Sequence, residues 1–175
     1  MGHEEHRREG PRTVRLAVVT ASDSRGEAED ASGAWLRQAA KTAGHPVAAY
    51  RVVKDEPAAI RAALEEALAA GAQAIVVNGG TGIAARDRTY EAVAGLLEKR
   101  LDGFGELFRM LSYAEIGSAA MMSRAVAGVW RGCAIFSMPG SLAAVRLAWE
   151  KLVAPELSHL VRELEKDLNK RSGAS

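Results

Sequence analysis

The feature that most constrains this chain is a series of short, nearly unbroken apolar runs spaced by helix-length segments. Residues 14–20, Val47–Val53, residues 75–77 and residues 134–136 are such runs. Unbroken apolarity, rather than alternation, marks a strand whose sheet is covered on both faces, as parallel sheets are. Between the first two runs, residues 31–44 read as a helix that Gly44 and Pro46 end. Between the next two, Pro57 stands at a first helical position. Ile60, Leu64, Ala67 and Leu68 then share one helical face, Arg61, Glu65 and Glu66 take the other, and Gly71 closes the segment. Strand and helix in strict alternation predict a parallel sheet with helices on both sides.

The rest of the chain is less regular. Residues 89–99 are helical by composition. Phe104, Leu107, Phe108 and Leu111 predict a helix over residues 103–115, and residues 119–127 fit no single pattern. After the run at 134–136, a long helix carries Leu142, Val145, Trp149 and Leu152 on one stripe, which Pro155 is expected to break or kink. Leu157, Leu160, Val161, Leu164 and Leu168 continue the stripe. The length of 175 residues fits one domain. Its expected bounds are 13–168, between a charged N-terminal tail, 1–12, and a C-terminal tail, 169–175. Aromatic residues are only 5% of the chain, so the core must be aliphatic.

Several function classes drop out. A net charge of +1 supplies no field for nucleic acid or membrane. Cys133 is the only cysteine, which excludes an internal disulfide and a cysteine metal cluster. Its neighbours Ala134, Ile135 and Phe136 predict a buried, inert thiol. His3, His6, His45 and His159 show no metal-ligand spacing. No apolar run is long enough to span a bilayer, and residues 1–12 lack the apolar core of a signal peptide, so a cytoplasmic protein is expected.

Ligands on open parallel sheets bind beyond the carboxyl ends of the strands. The polar stretches 20–25, 54–56 and 78–89 follow the first three strands and should therefore share one rim. Asn78-Gly79-Gly80-Thr81-Gly82 is the strongest of them. Glycines let backbone N–H groups approach an anion with no Cβ in the way, and consecutive N–H groups form an anion-binding concavity. The loop is neither a Walker A sequence nor G-x-G-x-x-G. Its alternative is a tight strand-to-helix turn with no ligand. Asp87 is a candidate Mg²⁺ ligand beside bound phosphates, or else a helix cap at Arg88 or Thr89. With Glu56 at the N-cap position before Pro57, Asp55 is left to face a ligand. Pro139, Gly140 and Ser141 form a second possible anion site, or a turn that Ser141 merely caps. Ser22, Asp23 and Ser24 either bind a polar ligand or close a turn.

Taken in order, these pieces resemble one family. They are Ser22-Asp23-Ser24, Asp55-Glu56, Gly79-Gly80-Thr81-Gly82 leading to Arg86-Asp87 and Thr89, Gly103-Phe104-Gly105-Glu106, Ser123-Arg124-Ala125 and Pro139-Gly140-Ser141. The set is similar to the molybdenum-cofactor biosynthesis proteins of the MoaB/Mog type, on the MoaB side, over about residues 14–160. The resemblance implies a three-layer α/β/α sandwich with a mostly parallel mixed sheet and one antiparallel strand. It implies adenylylation of molybdopterin by ATP, with release of pyrophosphate, before molybdenum is inserted; the alternative is a non-catalytic molybdopterin-binding paralogue acting as carrier or scaffold. By the same resemblance Asp55 and Asp87 are the catalytic, Mg²⁺-associated carboxylates. Gly79, Gly80, Thr81 and Gly82 hold phosphate, and Ser112, Ser123, Ser137 and Ser141 lie near pterin or nucleotide. A homo-oligomer, trimer or hexamer, and a molybdenum-insertion enzyme are the implied protein partners. The chain departs from the usual pattern at Asn78, Arg88, Tyr90 and Ser137, and Arg88 stands where it can compete for Asp87.

Overall fold

The computed structural model describes the backbone of residues 13–172 and the side chains through Lys166; the predicted N-terminal tail lies outside the described residues. Six strands form one sheet: β1 (Leu16–Ala21), β2 (Val47–Val53), β3 (Ala74–Asn78), β4 (Lys99–Arg100), β5 (Val126–Trp130) and β6 (Cys133–Met138). Their order across the sheet is β2-β1-β3-β6-β5-β4. β2, β1, β3 and β6 run parallel, and β5 pairs antiparallel with both β6 and β4. β5 is therefore the single reversed strand among the described residues, and the mixed α/β sandwich that the family resemblance implies is observed, where strand–helix alternation alone predicts a wholly parallel sheet.

The helices are α1 (Ala31–Thr42), α2 (Pro57–Ala69), α3 (Thr89–Ala94), α4 (Asp102–Ile116), α5 (Leu142–Ala148) and α6 (Ala154–Ser172). They cover the sheet on both sides, so successive strand residues enter different cores. Leu16, Val18, Val76 and Met138 pack with Leu36, Phe108, Val145 and Leu157 on one face. Ala17, Val19, Ile75 and Val77 pack with Ile60, Leu64, Ala67 and Val93 on the other. Each fully buried aliphatic side chain of this kind contributes about 1.5–3 kcal/mol relative to exposure. This double demand is why the strands read as continuous apolar runs.

Three expectations are corrected, and one ambiguous segment is resolved. The helix predicted over 89–99 stops at Ala94, because the chain leaves it to pair with β5: the Glu98 N–H donates to Val129 O at 2.9 Å, and Lys99 and Arg100 form β4. The segment 119–127 divides into a 3₁₀ turn (Gly117–Met122) and β5. Gly128 opposes Arg100 there, and a Cβ on it would meet Lys99 O at 2.2 Å, so only glycine admits the edge strand. Pro155 does not break its helix. A π turn (Trp149–Val153) joins α5 to α6, and the Ala154 N–H bonds Trp149 O five residues back. This wider turn precedes the proline that would clash with a regular helical turn. Finally, α6 continues to Ser172, past the expected boundary at 168.

Cys133 is 2% exposed, and burial pushes its thiol up to about 12. The hairpin between β5 and β6 turns on Arg131 (φ 49°) and Gly132 (φ 76°), the two positive-φ positions that a tight type I′ turn requires.

Candidate functional site

The carboxyl ends of β1, β2, β3 and β6 meet at one rim. A cavity of about 280 Å³ opens there, lined by Ser22, Asp23, Ser24, Asp55, Gly79, Gly80, Asp87, Gly140 and Ser141, together with Arg25 and Arg86. Three aspartates and two arginines leave this lining with one formal negative charge. Nine of the residues singled out from the sequence are thus brought together.

Steric closeness fixes the glycine loop. A Cβ on Gly79 would sit 2.2 Å from Ala21 O, and Gly79 has φ +98°. A Cβ on Gly80 would sit 2.1 Å from Asp55 Oδ2 and 2.2 Å from Thr89 Oγ1. Across the crevice, a Cβ on Gly140 would lie 3.0 Å from Gly79 Cα. The chain therefore needs glycine to bring two loops and a carboxylate this close.

Asp55 is 8% exposed, and its Oδ1 accepts from the Thr89 hydroxyl at 2.8 Å and the Arg88 N–H at 3.1 Å. Its own N–H donates to Asp23 Oδ1 at 3.0 Å. Asp87 Oδ2 accepts from the Ala84 N–H at 2.9 Å, so it closes a turn inside its own loop rather than capping α3. Asp55 Oδ2 and Asp87 Oδ1 take part in no hydrogen bond among the described residues. Arg88 does not compete for Asp87. Among the described residues no ion pair joins them, and the Arg88 N–H serves Asp55 instead.

Not every candidate lines the cavity. Thr81 and Gly82 lie farther along the loop, on the side of Arg124, and Pro139 leads out of β6 without reaching the lining. Ser141 Oγ caps α5 by accepting from the Ala144 N–H at 3.2 Å. Ser112 is buried on α4 and is not part of the cavity lining. Ser123 Oγ and Ser137 Oγ are buried without a hydrogen-bond partner, as is Asn78 Oδ1. Among the described residues no group of three or more His, Cys, Asp or Glu could hold a metal ion.

Two residues make contacts that no sequence pattern shows. Asp30, 1% exposed, accepts from Thr20 Oγ1 at 2.6 Å, Tyr50 Oη at 2.8 Å and the Gly33 N–H at 2.9 Å. Asn78 Nδ2 in turn donates to Thr20 Oγ1 at 2.8 Å. This buried chain anchors the strand end from which the glycine loop springs, and burial together with Asp30 pushes the Tyr50 phenol well above its ordinary pKa. The other residue is Arg124. Its guanidinium donates to Thr81 O at 3.3 Å, Gly82 O at 2.5 Å and Asp87 O at 3.0 Å, pairs with Glu91, and lies over the Tyr90 ring at 4.9 Å. Only its place in Ser123-Arg124-Ala125 pointed to it. With Pro57, Ala84, Ala85, Asp87, Arg88 and Glu91 it borders a second cavity of about 300 Å³, which shares Asp87 with the first.

Comparison with known proteins agrees with this architecture. A family model described as "Probable molybdopterin binding domain" matches residues 16–159. Molybdenum cofactor biosynthesis protein B of Halalkalibacterium halodurans is 52% identical over 169 residues, covering 95% of this chain and 99% of the relative. The crystal structure of a molybdenum cofactor biosynthesis protein B superposes with a TM-score of 0.82 at 49% identity, over 90% of this chain and 99% of that one. The tungsten cofactor synthesizing protein MoaB from Pyrococcus furiosus superposes with a TM-score of 0.82 at 38% identity, over 88% and 98%. With its glycine loop, its two rim aspartates and a match running nearly end to end, this chain belongs to the molybdopterin-binding-domain family of MoaB- and Mog-like proteins.

Proposed function

We propose that this chain acts in molybdenum cofactor biosynthesis by transferring the adenylyl group of ATP to molybdopterin, with release of pyrophosphate. One observation carries the reading: Asp55 and Asp87 come from different loops, line the same cavity beside Gly79 and Gly80, and each keeps one carboxylate oxygen uncommitted.

In this reaction the terminal phosphate oxygen of molybdopterin attacks the α-phosphorus of ATP. The bond to the bridging oxygen breaks, and pyrophosphate leaves with the electron pair. Both reactants are anions, so the protein must offset charge and hold them in line. Loop N–H groups supply partial positive charge, and Arg25 and Arg86 supply whole charges at the cavity wall. The two cavities that meet at Asp87 give two reactants separate approaches to it. Asp55 Oδ2 and Asp87 Oδ1 are the oxygens that would hold Mg²⁺, which takes one or two carboxylates with the remaining positions filled by phosphate and water. A donor set of two carboxylates, without a full protein cage, fits an ion that arrives with its nucleotide, and the net negative lining favours such an ion. Bound there, Mg²⁺ supplies charge neutralisation to the phosphates.

The test is pyrophosphate release from ATP and Mg²⁺ with and without molybdopterin. Release that depends on molybdopterin, and is lost by on the order of 100-fold or more in Asp87→Ala, supports the reading. Molybdopterin binding without release would assign the chain as a carrier instead, and unchanged turnover in Asp87→Ala would remove that residue from the mechanism.

Self-association belongs to the same proposal. Met110, Tyr113 and Ile116 recur at helical spacing on α4, are 60%, 65% and 60% exposed, and continue into Met121 and Met122. An apolar stripe of this kind is typical of interaction surfaces. Light scattering is expected to give an oligomer, and Met110→Glu with Tyr113→Glu is expected to shift it toward monomer. No helix of the described residues is long and apolar enough to cross a membrane.

A further inference from the structure

Arg124 spends its guanidinium in a way a surface ion pair does not explain. Glu91, its charged partner, is 58% exposed at the side chain, and pairs that open to water contribute about 0–1 kcal/mol. The other donors go to three backbone carbonyls of a single loop: Thr81, Gly82 and Asp87. The Arg124 backbone N–H reaches the Thr81 carbonyl as well, at 3.3 Å.

A trans peptide unit is planar, and its C=O and N–H point in opposite directions. Pulling the carbonyls of Thr81, Gly82 and Asp87 toward Arg124 therefore turns the N–H groups of Gly82, Ile83 and Arg88 away from it. Of the three, the Arg88 N–H meets Asp55 Oδ1 at 3.1 Å, a residue of the cavity wall. The N–H groups of Gly82 and Ile83 make no hydrogen bond among the described residues. They are donors held in place with no acceptor of the protein's own.

We propose that Arg124 is a positioning residue that sets the peptide planes of the glycine loop, so that the Gly82 and Ile83 N–H groups form a cradle for the phosphates of the ligand. Tyr90 beneath the guanidinium fixes its plane. Lysine cannot replace it, because a single ammonium lacks the planar fork that meets several carbonyls at once. The assignment rests on the reading of the site as a nucleotide and phosphate site, and it adds what makes the loop competent.

The experiment uses the full chain and reads binding separately from turnover. Inorganic pyrophosphate and Mg·ATP are titrated calorimetrically into wild type, Arg124→Ala, Arg124→Lys and Glu66→Gln, with thermal melts as the fold control. Affinity is expected to fall on the order of tenfold in Arg124→Ala, to stay low in Arg124→Lys, and to change less than about twofold in Glu66→Gln, where only the exposed ion pair with Arg51, outside both cavities, is lost. Millimolar guanidinium is expected to restore part of the affinity of Arg124→Ala, which general loss of structure would not allow. Full affinity in Arg124→Ala, full rescue by lysine, or an equal loss in Glu66→Gln would overturn the assignment. Should Arg124→Ala not fold, the lysine variant and its guanidinium titration decide alone. Wild type that binds pyrophosphate in an Arg124-dependent way, yet never releases it from ATP, would sink the adenylylation reading and leave this one standing. Wild type that binds neither probe would overturn this one.

Discussion

The two ends of the sheet use glycine for different reasons. At the end where the parallel strands begin, Gly44 and Gly71 have φ of +83° and +80°, yet a Cβ on Gly44 would meet nothing within 4 Å, and one on Gly71 only Arg15 at 3.5 Å. These glycines serve backbone conformation, closing α1 and the segment after α2. At the end where the strands finish, a Cβ on Gly79 or Gly80 would collide at 2.2 or 2.1 Å with a carbonyl or a carboxylate. There the absent side chain is itself the feature. One end is built to turn the chain, the other to crowd polar groups together. Conformation and space are separable by mutation.

The largest expected effect is on turnover. Gly80→Ala should displace Asp55 and Thr89 and reduce pyrophosphate release on the order of 100-fold, with molybdopterin and ATP both saturating; near-normal turnover would mean the closeness at Gly80 is incidental. Next comes Gly79→Ala, where strain and a backbone clash combine. It should cost on the order of 3 kcal/mol in urea unfolding, and a loss below about 1 kcal/mol would break the distinction between the two ends.

A third test moves to the opposite end, where His45 is 6% exposed and its Nδ1 accepts from the Val14 N–H at 3.1 Å. Burial lowers its pKa from the ordinary 6.5. The unfolded chain therefore takes up a proton before the folded one does. His45 contributes stability that is complete above pH 6.5 and is lost as pH falls through the lower, folded value. Melting temperature should drop over that interval, and His45→Gln should flatten the drop; an unchanged profile would place the acid sensitivity elsewhere. The smallest effect is expected for Gly44→Asn. Asparagine tolerates the left-handed conformation and nothing crowds the site, so the loss should be under about 1 kcal/mol with turnover unaltered.

The sequence made much of this legible because one constraint repeats. Strands covered on both faces must be apolar throughout, so β1, β3 and β6 stand out, and their polar exits mark the rim; the edge strand β2 is only partly buried. Asp55 is legible by elimination, since Pro57 and Glu56 already account for the helix start. What stayed hidden depends on contacts distant in the chain. β4 is two exposed residues, Lys99 and Arg100, whose strand character comes only from β5. Asp30 looks like an ordinary N-cap, and it is one, but its second oxygen serves Thr20 and Tyr50. Arg124 is one arginine among many until the carbonyls it holds, some 40 residues earlier, are seen.

The π turn before Pro155 also sets a counting rule. Val145, Trp149, Val153, Leu157 and Val161 are all buried at a spacing of four. Four residues of α-helix rotate roughly 400°, overshooting a full turn by about 40° each time. Four such steps in a regular helix would carry Val161 about 160° away from Val145. The single wide turn at Trp149–Val153 absorbs about one residue of that drift, some 100°, and returns the later residues to the sheet. The segment is thus sensitive to changes in length: removing one residue would restore regular helical bonding and rotate the buried row of α6 toward solvent.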